Sequence, residues 1–421
     1  MTSDSLVAQI RAVEALRSGV PNSAAVLALG CSQPHAESLY RERLGEIAGA
    51  VQPAGMLVAG DFGTGKSHLL EYLEQVALER NFVTSRVVIS KETPLYDPAK
   101  VFRAAVEAAN VPGRTGMAIP EIASSINQFS DAYADLFAWA ADPESGMAPL
   151  FAATLRLHER LGNDPDTVEE IERFWAGDPL PIKTVRDGLR KIGQLVAFPV
   201  KAVKAQELTE QRWIFATRLM LGAGYSGWVL LIDEVELIGR YSLLQRAKSY
   251  AELARWIGRI ENAAIPGLFT VAAITGDFGS YMLVDKEDRD KVGPKLRDKG
   301  TDEFLNLAAR AEIGMRIIER ESLRLEPPTP RLLRETHERL RRIHADAYQW
   351  TPPEIPWEER ELTTPMRSYI RRWINEWDLL RLFPGATPHT EEERLRPSYL
   401  EDLALEQESE AFPDAGHDQA T

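Results

Sequence analysis

The stretch Gly60-Asp61-Phe62-Gly63-Thr64-Gly65-Lys66-Ser67 constrains this chain more than any other. It fits the Walker A pattern G-x-x-x-x-G-K-[ST], and its flanks agree with that reading. Gly55-Met56-Leu57-Val58-Ala59 before it is an apolar run of the kind that forms a buried parallel strand, and His68 to Ala77 after it has apolar residues at helical spacing. Gly60, Gly63 and Gly65 permit positive φ and bring backbone N–H groups close to an anion. The helix opening near Lys66 adds unpaired N–H donors and the positive end of its dipole. Lys66 would reach the β- and γ-phosphates of a nucleotide, and the Ser67 hydroxyl would ligate Mg²⁺. The eight loop residues, Asp61, Phe62 and Thr64 among them, and the following His68 are the expected ATP-binding set.

At 421 residues the chain has room for about three structural units. Hydrophobic residues make up 44% and charged ones 27%, an ordinary globular balance. No apolar run approaches the ~20 residues needed to span a bilayer. The start, Met1-Thr2-Ser3-Asp4-Ser5, has no basic stretch leading into an apolar core, so no signal peptide is expected. The single cysteine, Cys31, leaves no internal disulfide or cysteine-rich metal site and suits a reducing cytoplasm. Net charge is −14, of which residues 386–421 carry −8 through ten acids and two arginines. An acidic protein is a poor non-specific nucleic-acid binder unless it has a local basic patch.

Residues 6–17 and 36–50 read as helices, separated by the breaker Ser18-Gly19-Val20-Pro21-Asn22. Residues 81–90 are a β-branched strand that runs into the polar loop Lys91-Glu92-Thr93-Pro94-Leu95-Tyr96-Asp97-Pro98, and a helix over 100–109 follows. Between Ser90 and Trp228 lie 137 residues, far more than a crossover needs. Ile122, Ile126, Phe129, Tyr133, Leu136 and Phe137 fall at spacings of three and four, as do Val168, Ile171 and Trp175, so this insert reads as helical. Its aromatics fit a subdomain core better than a partner surface.

Trp228-Val229-Leu230-Leu231-Ile232-Asp233-Glu234 has the Walker B form: a buried strand, an Asp to hold hydrated Mg²⁺ and a Glu to polarise water. Gly267 to Ile274 is a further buried strand, ending at Thr275. Ser322 to Pro328 gives a last strand, residues 330–348 a helix, and residues 364–382 another. The expected organisation is α/β, a P-loop NTPase with a parallel sheet and helices on both faces. An N-terminal helical segment (1–54) would pack on a core (55–329) with an insert at about 105–225. A helical lid (330–384) and an acidic, mostly disordered tail (385–421) complete it.

Walker A, Walker B, a Thr-ended strand and a helical lid in this order resemble an AAA+-like ATPase of the origin-recognition or STAND type. The 17–21 turn, the Gly60–Ser67 loop, the 91–98 loop and Thr364-Pro365-Met366-Arg367-Ser368-Tyr369-Ile370-Arg371 together resemble the ATP-binding protein of BREX-type phage-defence loci. The resemblance covers nearly the whole chain except the acidic tail. It implies a cytoplasmic bacterial protein working beside methyltransferase, phosphatase-like and helicase components. It also implies that Thr275 acts as a sensor of the γ-phosphate, that the 17–21 turn lies near the adenine, and that a lid arginine touches the γ-phosphate. Arg367 is the best positional match, with Arg371 one turn later; a surface helix charge is the plain alternative. A trans-acting arginine finger would come from Arg310, Arg316 or Arg320, and the sequence selects none of them.

Two functions compete: an ATPase that drives assembly or remodelling of a DNA-defence complex, and a nucleotide-gated scaffold with little turnover. Glu234 favours the first. A metabolic P-loop kinase is a third class, disfavoured by the insert, Thr275 and the lid. Protein partners in the defence complex follow from the resemblance. An ATP-dependent homo-oligomer and a DNA contact, through Arg367, Arg371 and Arg372 interleaved with Tyr369 and Trp373, stay open. A buried aromatic stripe is the stronger reading of that last strip.

Overall fold

The apolar runs assemble into one sheet. The computed structural model describes residues 3–20, 22–261, 263–355, 364–385 and 387. Its strands are β1 (Met56–Ala59), β2 (Val83–Val88), β3 (Ala109–Asn110), β4 (Trp228–Asp233), β5 (Leu268–Ile274) and β6 (Leu323–Arg324), in the order β3-β2-β4-β5-β1-β6. All neighbours are parallel except β2 and β3. Every residue of β1, β4 and β5 is buried, as expected of central strands covered on both faces.

Three helices precede β1: α1 (Ser3–Ser18), α2 (Ser23–Leu29) and α3 (Pro34–Ala48). Helix α4 (Lys66–Glu79) joins β1 to β2, and α5 (Pro98–Glu107) joins β2 to β3. The insert before β4 contains α6 (Ala118–Ser125), α7 (Asp131–Ala141), α8 (Pro149–Arg160), α9 (Pro165–Trp175), α10 (Ile182–Lys191) and α11 (Ala205–Gly222). Helix α12 (Leu243–Trp256) lies between β4 and β5, while α13 (Asp288–Arg297) and α14 (Asp302–Arg316) lie between β5 and β6. Helices α15 (Pro330–Tyr348) and α16 (Met366–Leu382) follow. Cap chemistry sets several starts: Asp97, Asp164 and Thr329 each accept backbone N–H bonds at the N-terminus of a helix whose first residue is proline.

Side-chain alternation along the strands divides the interior in two. Leu57, Leu230, Ile232, Ala272 and Ile274 face a large core shared with the insert and α12 to α14. Met56, Val58, Val229, Leu231, Phe269 and Val271 face a second core built with α3 and α4. The insert aromatics Phe151, Phe174, Trp175, Trp213 and Phe215 are buried in the first core.

A third core joins α1 and α2 to α15 and α16, around Trp373 and Trp377. The N-terminal segment therefore divides: α3 packs on the sheet, whereas α1 and α2 pack on the C-terminal helices. Tyr369 and Trp373 are buried here and Arg372 bonds Glu376 at 2.6 Å, so α16 presents no exposed aromatic–arginine strip.

The apolar spacing from Ile122 to Phe137 spans two helices. The chain breaks at Ile126, Ser130 caps α7, and Phe129 is 97% exposed. Spacing alone does not register a serine that offers the backbone a new helix start. The expected tail, with Leu395, Tyr399 and Leu403, lies outside the described residues apart from Gly385 and Thr387.

Trp373→Ala should cost about 3–5 kcal/mol, the range for deleting a fully buried aromatic. Urea unfolding measures it, and an unchanged midpoint would show that the third core contributes little.

Candidate functional site

The sheet topology places one crevice above the others. The chain leaves β1 for β2 on one side and leaves β5 for β6 on the other, so the carboxyl ends of β1 and β5 flank a switch point. The Gly60–Ser67 loop starts there. Gly60 N–H donates to the Ile274 carbonyl at 3.1 Å, which sets Thr275 beside the first residue of the loop. Gly65 caps α4 with φ +100°, a conformation that disfavours any side chain.

A cleft opens over the loop. Its lining includes Phe62 to His68, Glu234, Gly19, Gly30 to Ser32, Arg339 and Arg367. Of the expected site residues, Phe62, Gly63, Thr64, Gly65, Lys66, Ser67, His68, Glu234 and Arg367 line the cleft. Gly60, Asp61, Asp233 and Thr275 do not; Thr275 is buried at the end of β5, and Asp61 packs over Gly276.

Lys66 is the buried cation of the loop. Its ammonium donates to the Gly60 carbonyl at 2.8 Å and lies 4.0 Å from the Glu236 carboxylate. Glu236 is itself buried, and among the described residues neither of its oxygens has a well-formed hydrogen bond, although the Glu234 carboxyl lies beside it. Burial pushes its carboxyl up to about 7, against the pull of Lys66. Glu234 takes the left-handed conformation, φ 59°, which turns the chain sharply after β4. Burial, then the charge of Asp233, raises the Glu234 carboxyl above its ordinary value.

Asp233 is held at the strand end from two sides. Glu234 N–H donates to Oδ1 at 3.0 Å, and Arg86 of β2 donates to Oδ2 at 2.9 Å. Arg86 also bridges to Glu71 of α4 at 2.9 Å. A carboxylate has about four lone-pair sites, so Asp233 retains acceptor capacity.

The α16 side of the cleft is fastened to the loop. Arg367 N–H donates to the Gly63 carbonyl at 3.3 Å, and the Arg367 guanidinium donates to the Ser18 carbonyl at 3.3 Å. A Cβ on Gly19 would fall 2.2 Å from Arg367 Nε, so the guanidinium packs on a position where only glycine fits. Burial, then the neighbouring Arg371, pulls the Arg367 guanidinium below its usual value. His68 ties the α2–α3 turn to α4: its Nε2 lies 3.0 Å from the Gly30 carbonyl, which can only accept, so Nε2 carries the proton. Burial lowers its pKa and keeps the ring neutral. Arg17 turns away from the cleft to Glu14 and Asp378.

None of the three finger candidates lines the cleft. Arg310 pairs with Glu252 at 3.2 Å, Arg320 neighbours Glu319, and Arg316 is exposed. Arg86, Arg339 and the Gly30–Ser32 turn are site features that local motifs do not reveal. Strand pairing brings Arg86 to Asp233; Arg339 comes from α15 and donates to the Leu29 carbonyl, and the Gly30–Ser32 turn follows α2, which is too short to show a period.

The sequence model of the family described as BREX system ATP-binding protein BrxC/D matches residues 8–132 and 214–379, which is more than half of the chain. The chain belongs to that family. The BrxC/D match takes in the glycine loop, β4 with Asp233 and Glu234, β5, and the two C-terminal helices through Arg367. It passes over residues 133–213, the larger part of the helical insert. No curated protein and no solved structure matches the chain significantly. As a member of the BrxC/D family this is an ATP-binding protein of a BREX system. Among the described residues no helix is long and apolar enough to cross a membrane, and no cluster of three or more His, Cys, Asp or Glu residues could hold a metal ion.

Gly19→Ala should strain the left-handed position and push Arg367 off its seat, at about 1–2 kcal/mol. Urea unfolding of wild type and variant checks this; identical curves would mean that Arg367 does not rest on Gly19.

Proposed function

We propose that this BrxC/D-family protein is a P-loop NTPase of AAA+ type that binds Mg·ATP in the cleft over Gly60–Ser67 and hydrolyses it. Turnover would drive assembly or remodelling of the BREX defence complex. The observation that carries the reading is the meeting of Lys66, Ser67, Glu234 and Arg367 in one cleft at the switch point of a parallel sheet. We assign nucleotide binding to the core (55–329) and closure to the lid (330–384).

In this reading the loop N–H groups and the N-terminus of α4 hold the phosphates, and Lys66 neutralises them. Ser67 and Asp233 offer hard oxygen donors, the type Mg²⁺ takes. When bound, the ion would offset phosphate charge. Glu234, lining the cleft with a raised carboxyl pKa, polarises the attacking water. Thr275 orients that water from the end of β5. Arg367 has no carboxylate partner among the described residues and meets the γ-phosphate from the lid.

A nucleotide-gated scaffold with little turnover is the second reading. It is favoured by the ion pairs that already engage Lys66 and Asp233, and by the lid's direct bond to Gly63. Single-turnover hydrolysis with Glu234→Gln separates the two. The ATPase reading expects a rate about 10²–10⁴-fold below wild type, with ATP affinity little changed. Asp233→Asn should weaken Mg·ATP binding as well as turnover. Wild-type hydrolysis no faster than that of Glu234→Gln would favour the scaffold.

A further inference from the structure

The buried acid next to Lys66 has no task in the reaction described above. β4 ends at Asp233, the left-handed Glu234 turns the chain, and a 3₁₀ turn begins at Val235. As a result Glu234 lines the cleft, whereas Glu236 is buried and outside the cleft lining. Its side chain is 3% exposed and, among the described residues, neither oxygen has a well-formed hydrogen bond; the Glu234 carboxyl and the Glu236 backbone N–H are near, and Lys66 Nζ stands 4.0 Å away. A carboxylate removed from water with no hydrogen bond is unfavourable unless a charge compensates it. Here the compensating charge is the ammonium that the proposed phosphates also need.

We infer that Glu236 is the resident counter-anion of Lys66, engaging the ammonium until nucleotide phosphates take it over, and that it thereby weakens phosphate binding by charge competition. This deepens the nucleotide-site reading and rests on it. Glu236 is a positioning residue, since it acts through Lys66. Two effects work in the same direction. The nucleotide must draw Lys66 away from an existing partner, and the carboxyl left behind must then either stay charged near the phosphates or take up a proton. A core acid with a merely structural role would leave phosphate affinity unmoved, and a general base would change the rate of hydrolysis and leave binding alone.

The test is equilibrium binding of ATP, tripolyphosphate and adenosine to the full chain, as wild type, Glu236→Gln and Glu236→Leu. Both substitutions remove the charge at similar volume, and thermal melting verifies that each variant is folded. If Glu236 competes for Lys66, ATP and tripolyphosphate should bind on the order of tenfold more tightly to both variants, and adenosine should bind as to wild type. Equal or weaker tripolyphosphate binding by the folded variants, beside measurable ATP binding by wild type, overturns this inference and leaves the nucleotide site standing. A wild-type chain that binds neither ATP nor tripolyphosphate overturns the site and the inference together.

Discussion

A buried ammonium must meet negative charge, and much of the arrangement around the cleft follows from where Lys66 finds it. The lysine opens α4 because Gly65 before it adopts a left-handed conformation. It stays out of water between the Gly60 carbonyl and Glu236. The acid side depends on the sheet. A fully buried β4 carries Asp233 to the carboxyl edge, and after the strained Glu234 one carboxylate, that of Glu234, lines the cleft while that of Glu236 is buried. Arg86, held in register by the β2–β4 pairing, balances Asp233. Lys66 and Asp233 thus each have an internal partner at hand. A ligand that enters has to exchange those partners for its own charges.

The walls of the cleft come from both ends of the chain. Helices α1 and α2 share their core with α15 and α16, so the turn around Gly19 and Arg367 of α16 belong to one packed unit. That unit touches the glycine loop through Arg367 and Gly63, and it touches α4 through His68 and Gly30. The C-terminal helices and the glycine loop are thus joined by hydrogen bonds to the Gly63 and Gly30 carbonyls and by the packing of α2 on α4.

Much of this was legible in the sequence, for identifiable reasons. Short apolar runs such as Trp228–Ile232 and Leu268–Ile274 can be read as strands because central parallel strands are buried on both faces. Asp97-Pro98, Asp164-Pro165 and Thr329-Pro330 mark helix starts by their own chemistry. What local patterns do not carry is pairing between distant positions. Lys66 with Glu236, Arg86 with Asp233, and Gly19 with Arg367 meet only because of the strand order and the third core. Seven-residue α2 and two-residue β3 are too short to leave a period, and the exposed Phe129 mimics one.

The central claim is that the Gly60–Ser67 loop is where this protein holds ATP, with Lys66 as its main charge. Equilibrium titration of a fluorescent ATP analogue against wild type and Lys66→Ala tests it most directly. The account predicts saturable binding by wild type and at least a hundredfold loss in the variant, as expected when a buried charge-assisted contact worth about 3 kcal/mol disappears. Equal affinity of the two proteins would contradict it and would place the nucleotide elsewhere on the molecule.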